Sequence, residues 1–162
     1  NYFGEQRFGH GGGNLVQAQT LIERDQLKGN RRGTGMILSA ARSWLYNQVV
    51  AERIRRGSWS TPMEFETQPG APLWGRGRSA AGGDLAELEQ EILADWQSWC
   101  YALEHAGLKQ ERRAIVLMPD SLHWQRLGAG QLELSFGLPA GAYATVVLRE
   151  IAELFRPQIQ AL

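Results

Sequence analysis

The chain has 162 residues, 43% hydrophobic and 21% charged, an ordinary globular composition with enough length to bury a core. Its single cysteine, Cys100, excludes an internal disulfide and a multi-cysteine metal site, and His10, His105 and His123 lack metal-ligand spacing. The formal net charge is zero, but residues 1–83 carry 11 Lys/Arg against 6 Asp/Glu, and residues 84–162 carry 6 against 11. The basic residues gather at Lys28, Arg31 and Arg32, at Arg53, Arg55 and Arg56, and at Arg76 and Arg78. That clustering fits either solvated helix ends or a phosphate-binding surface. No apolar run reaches membrane-spanning length.

The opening residues Asn1-Tyr2-Phe3-Gly4-Glu5-Gln6-Arg7-Phe8-Gly9 are dense in aromatics, glycine and arginine. They show neither period two nor period 3.6, so they do not read as a core element. They begin abruptly, which gives the expectation that the chain starts inside a domain. A glycine stretch, His10-Gly11-Gly12-Gly13, leads to Asn14 as helix N-cap and a helix with Leu15, Ala18, Leu21 and Ile22 inward, up to about Asp25. Gly29-Asn30-Arg31-Arg32-Gly33 is a basic turn. A second helix is expected from about Met36 to Arg56, its stripe made by Leu38, Ala41, Leu45 and Val49 and widened by Val50 and Ile54.

Residues 57–83 hold Pro62, Pro69, Pro72 and six glycines, which no helix tolerates. A short extended piece at Met63–Thr67 is expected there. Asp84, with Glu87 three residues on, reads as the cap of one long helix ending near Gly107. Its stripe is Leu85, Leu88, Ile92, Trp96, Trp99 and Leu103, with Cys100 beside it as a small buried residue. Ala114–Met118 reads as a strand, and Leu132, Leu134, Phe136 and Leu138 alternate with smaller or polar residues as a half-buried strand. Antiparallel pairing of those two strands is expected. Pro139-Ala140-Gly141 then turns the chain into a last helix, Ala144–Phe155. Helices early and strands later give an α+β fold.

No nucleophile elbow, P-loop or dinucleotide fingerprint is present. Arg149 lies among Val146, Val147, Leu148 and Ile151, and a guanidinium in that setting either snorkels to solvent or meets a carboxylate from elsewhere. Tyr143 stands before the last helix, as a wall of the core or as a face for a flat ligand.

Taken together, these blocks resemble the tRNA pseudouridine synthase D (TruD) family. The opening matches its Asn-Tyr-Phe-Gly-x-Gln-Arg-Phe-Gly signature. Asn30-Arg31-Arg32, with Leu38-Ser39-Ala40-Ala41-Arg42-Ser43 and Asn47, matches a second block. Pro72-Leu73-Trp74-Gly75-x-Gly77 matches a third, and Leu138-Pro139-Ala140-Gly141-x-Tyr143-Ala144-Thr145 with Arg149-Glu150 matches the last. The resemblance implies isomerisation of uridine to pseudouridine in tRNA, at position 13, by a cytoplasmic enzyme that needs no cofactor and no metal. It implies tRNA as partner and no membrane. The family's chain is about twice as long, and its nucleophilic aspartate lies in a Lys-Asp motif that this chain lacks, so these residues alone are expected to be inactive.

On the same resemblance, Arg149 is the arginine that pairs with the aspartate, and Tyr143, where relatives often have phenylalanine, packs on the flipped base. Arg7, Arg31, Arg32 and Arg42 match positions suited to RNA-backbone contact, Arg42 alternatively bracing the fold. Residues 1–118 are expected to be a helix-rich insertion domain, with residues missing between about 55 and 63. Residues 119–162 are expected to be the C-terminal strand-turn-helix edge of the synthase's mixed or antiparallel catalytic sheet. The alternative is a non-catalytic RNA-binding or structural module derived from such an enzyme.

Overall fold

The computed structural model describes residues 1–27 and 33–154. Among them are five α-helices and two two-stranded antiparallel sheets, the α+β class that the sequence pattern predicts. The chain divides into two compact units, Asn1–Val116 and Leu117–Leu162.

The first unit is organised on its longest element. It contains α1 (Gly13–Glu23), α2 (Gly35–Arg55), β1 (Gly70–Leu73), α3 (Gly83–Ile92), α4 (Gln97–His105) and β2 (Glu111–Ala114). On α2 the expected stripe holds: Leu38, Ala41, Leu45, Val49 and Val50 are all buried. Each large aliphatic among them contributes roughly 1.5–3 kcal/mol by leaving water. The stripe does not continue to Ile54, which is 45% exposed; the inward place in the last turn belongs to Arg53, which is fully buried. A pattern that counts arginine as polar cannot see this.

Arg53 is buried because it is fully partnered. Its Nη1 donates to both Glu66 carboxylate oxygens at 2.8 Å and to the Gly70 carbonyl at 2.9 Å. Nη2 donates to the carbonyls of Ser58 at 2.7 Å and Thr61 at 3.3 Å. Arg112 joins the group, donating to Glu66 at 3.0 Å and to Glu89 at 2.7 Å. Glu66 also accepts the backbone N–H of Met63 and of Gly70. Burial drives the Glu66 carboxyl upward, but those amides and Arg53 outweigh it and hold it below the ordinary range. At Glu89 burial wins over Arg112, and the carboxyl is raised. The network folds the proline- and glycine-rich loop back onto α2.

That arrangement displaces several sequence-based expectations. Met63–Glu66 is a turn, closed by Glu66 N–H on the Met63 carbonyl, and the extended piece is β1 instead. The second strand is Glu111–Ala114, ahead of the expected Ala114–Met118, and it pairs with β1 in the register Gly70↔Ala114 and Leu73↔Glu111. Asn14 lies inside the first turn of α1, which is preceded by left-handed Gly12; its side chain donates to the Arg7 carbonyl at 3.3 Å. Asp84 likewise falls in the first turn of α3, whose N-cap position is Gly82. The single long helix expected after Asp84 is two helices joined by one 3-10 turn, Ala94–Trp96. The tighter turn shifts the helical phase, so that Leu93 is fully buried while Trp99, on α4, also faces inward. Trp96 lies edge-on between Trp44 and Trp99, with ring centroids 5.8 and 5.1 Å away.

The second unit contains β3 (Asp120–Gly128), β4 (Gln131–Gly137) and α5 (Ala144–Arg149). β4 is the strand the alternation predicts, but its partner is β3, with Trp124↔Leu134 and Arg126↔Leu132 in register. The turn between them places Gly130 at φ 75°, a left-handed conformation that glycine adopts without strain. Cross-strand neighbours share a face, so Trp124, Leu132, Leu134 and Phe136 lie together. No described residue of this unit is fully buried, and Trp124 is 71% exposed. α5 ends at Arg149, short of the expected Phe155, which lies outside the described residues.

Candidate functional site

In the first unit the opening segment is not a loose tail. Phe3 and Asn47 of α2 exchange two hydrogen bonds: Phe3 N–H donates to Asn47 Oδ1, and Asn47 Nδ2 donates to the Phe3 carbonyl, both at 3.0 Å. Asn1 Nδ2 donates to the Ala114 carbonyl at 2.7 Å, and the Tyr46 hydroxyl donates to the same carbonyl at 2.9 Å. The Phe3 ring meets Tyr46 edge-on and lies 4.3 Å beneath the Arg113 guanidinium. Two sequence blocks separated by about forty residues are therefore one structural feature. Asn47 is its clasp, a role visible only once the segments are brought together.

Arg7 and Arg42 are brought to the same stretch of α2. Arg7 is half-buried, and its Nη1 donates to Ser39 Oγ at 2.8 Å. Ser39 and Arg42, one turn apart, line a cleft of about 460 Å³ together with Gly35, Leu38, His105 and Leu108. Arg42 spends its guanidinium on the fold. Nε donates to the Trp74 carbonyl at 3.0 Å, and Nη2 donates to the carbonyls of Leu73 at 2.9 Å and of Lys109, with Glu111 at 3.2 Å. Arg31 and Arg32 lie outside the described residues.

Tyr143 and Arg149 stand at the two ends of α5 in the second unit. Tyr143 is the N-cap residue in extended conformation and is half-buried; Arg149 is exposed in the helix's last turn.

The remaining reactive side chains are quiet. Cys100 is buried, and burial, reinforced by the Glu104 carboxylate, pushes its thiol up to about 12. His105 stacks on Tyr101 at 4.0 Å, and its Nδ1 is 2.8 Å from the Tyr101 carbonyl. Asp25, Asp84, Asp95 and Asp120 are all exposed. Among the described residues no group of three His, Cys, Asp or Glu is placed to hold a metal, and no helix is long and apolar enough to cross a membrane.

The sequence profile of the family described as tRNA pseudouridine synthase D (TruD) matches residues 61–151. A protein named tRNA pseudouridine synthase D from Cellvibrio japonicus is 47% identical over 162 residues, which cover 99% of this chain and 48% of that protein. Proteins of the same name from Nitrosococcus oceani and Legionella pneumophila are 42% and 37% identical; the matches cover 93% and 94% of this chain and 50% and 54% of theirs. The chain spans about half the length of the curated relatives it matches.

Proposed function

Because the chain belongs to the tRNA pseudouridine synthase D (TruD) family, we propose that the protein carrying it isomerises uridine to pseudouridine in tRNA, with position 13 the expected target. The observation that carries this reading is the ordered set of family blocks from Asn1 to Glu150, together with the profile match over residues 61–151. The reaction breaks the bond from the ribose to N1 of uracil and forms one to C5, and the C5 hydrogen is lost as a proton while N1 gains one. Atoms and electrons balance within the nucleotide.

The nucleophile of this chemistry is an aspartate supplied by polypeptide outside these 162 residues. Two observations support that: relatives of about twice the length, and the exposure of all four aspartates here, none of which has the partly dry setting such a nucleophile needs. Arg149 pairs with that aspartate and keeps it ionised, as a neighbouring guanidinium does for any carboxylate. Tyr143, at the head of the same helix, packs on the base once it has left its stack. Arg7, Arg31 and Arg32 contact the RNA backbone, and Arg42 serves the same surface by holding its walls. Residues 1–118 form the insertion domain. Residues 119–162 complete the catalytic sheet, which would cover the apolar face of the β3–β4 hairpin; an isolated hairpin has no core of its own.

Incubation of the purified full-length protein with unmodified tRNA, followed by mapping of pseudouridine, tests the reading. Product at a single uridine is expected. tRNA binding without product would establish a binding module instead, and neither binding nor product would remove tRNA from the account.

A further inference from the structure

The third sequence block, Pro72-Leu73-Trp74-Gly75-Arg76-Gly77, has a structural purpose that the proposed chemistry does not use. Residues 74–77 lie flat against residues 108–110. Arg76 N–H donates to the Leu108 carbonyl at 2.6 Å, and Gln110 N–H donates to the Arg76 carbonyl at 2.9 Å, closing an isolated parallel bridge between Arg76 and Lys109. Gly75 N–H donates to Gln110 Oε1 at 2.7 Å. The approach is so close that a Cβ on Gly75 would sit 2.6 Å from the Leu108 and Lys109 carbonyl oxygens, so only glycine fits. Arg42 staples the two backbones from α2, donating to Leu73 and Trp74 on one side and to Lys109 on the other.

All of this fixes the Arg76 and Lys109 backbones beside each other. Residues paired in a bridge share a face, so the Arg76 and Lys109 side chains leave the surface together; Arg78 follows just beyond the bend at Gly77. All three are exposed. Among the described residues none of them has an ion pair or side-chain hydrogen bond. The carboxylate nearest in sequence, Glu111, is engaged by Arg42. Two exposed like charges on one face repel only weakly through water, and an anion placed between them is attracted to both. The contrast with α2 is direct, because Arg55 and Arg56 at its end are both paired with Glu52.

We propose that Arg76 and Lys109, extended by Arg78, form a phosphate-binding strip that takes the ribose–phosphate backbone of tRNA. The strip borders the cleft lined by Ser39, Arg42 and His105, since Leu108, which also lines that cleft, precedes Lys109 and accepts the Arg76 N–H. It rests on the tRNA reading above and assigns to that RNA a contact made by backbone charge and not by base identity. Arg42 is a positioning residue here: by gripping the Leu73, Trp74 and Lys109 carbonyls it ties together the two backbones that carry the cations.

The test measures tRNA affinity of the full-length protein against salt concentration, for the wild type, Arg76→Ser/Lys109→Ser, the conservative swap Arg76→Lys/Lys109→Arg, and Arg55→Ser. Each lost phosphate contact lowers the slope of log affinity against log salt by about one. The double serine variant is expected to bind about tenfold more weakly at low salt with the slope reduced by about 1.5 to 2. The conservative swap should restore both, and Arg55→Ser should leave the slope unaltered. A double serine variant with the wild-type slope overturns the strip even if the protein makes pseudouridine. An equal fall for Arg55→Ser also overturns it, because only diffuse charge would then be at work. A wild type that binds tRNA through this slope but yields no pseudouridine keeps the strip and sinks the enzymatic reading. A wild type that does not bind tRNA sinks both.

Discussion

Replacing Arg53 by methionine removes a guanidinium that has no access to water. The substitution keeps the length and apolar stem but strips both contacts to Glu66 and those to the carbonyls of Ser58 and Thr61. Breaking a buried ion pair from one side costs about 3–5 kcal/mol, because the surviving charge stays buried. Arg112 still reaches Glu66 at 3.0 Å and the Gly70 carbonyl at 2.9 Å, which places the expected loss at the low end, about 3 kcal/mol. For a unit of this size that is a fall in melting temperature of roughly 10 °C. Urea unfolding of Arg53→Met, Glu66→Gln and the double variant closes a cycle, and the double variant should lose clearly less than the sum.

The pH dependence has a fixed sign. Glu66 sits below its ordinary value in the fold, so its stabilisation is present above the unfolded carboxyl range and is lost as pH falls through the folded value. The gap between wild type and Arg53→Met should therefore be widest at neutral pH and narrow below about pH 4. A loss under 1 kcal/mol, additive single effects, or a gap indifferent to pH would each refute the reasoning.

Three further outcomes follow from the same geometry. Gly75→Ala forces a methyl group against backbone oxygens that cannot rotate away, and it should destabilise the protein by about 1–3 kcal/mol in thermal unfolding. Cys100 should resist alkylation by a thiol reagent at pH 8 and react at once in denaturant; rapid labelling of the folded protein would contradict its burial. In the full-length protein, Arg149→Ala should abolish pseudouridine formation while tRNA affinity changes by no more than about threefold, and normal turnover would reduce Arg149 to a structural residue.

Several features were legible in the chain itself. The stripe of α2, the alternation of β4 and the ordered family blocks are carried by residues close in sequence, and a local period or motif reports them directly. β1 and β2 were not legible, because Gly70–Leu73 becomes a strand only when residues 111–114 arrive beside it, and neither segment alternates. β3 escaped for a related reason: its pattern is interrupted by register shifts near Asp120–His123 and Arg126–Gly128.

The charged residues divide in the same way. The sequence alone determined the family, through blocks that are each contiguous in the chain. Only the tertiary structure decided that Arg53 lies in the core, that Arg42 staples two backbones and that Arg76 stands against Lys109. An arginine's role depends on which carbonyls and carboxylates surround it, and for Arg42 those come from segments up to sixty-nine residues away.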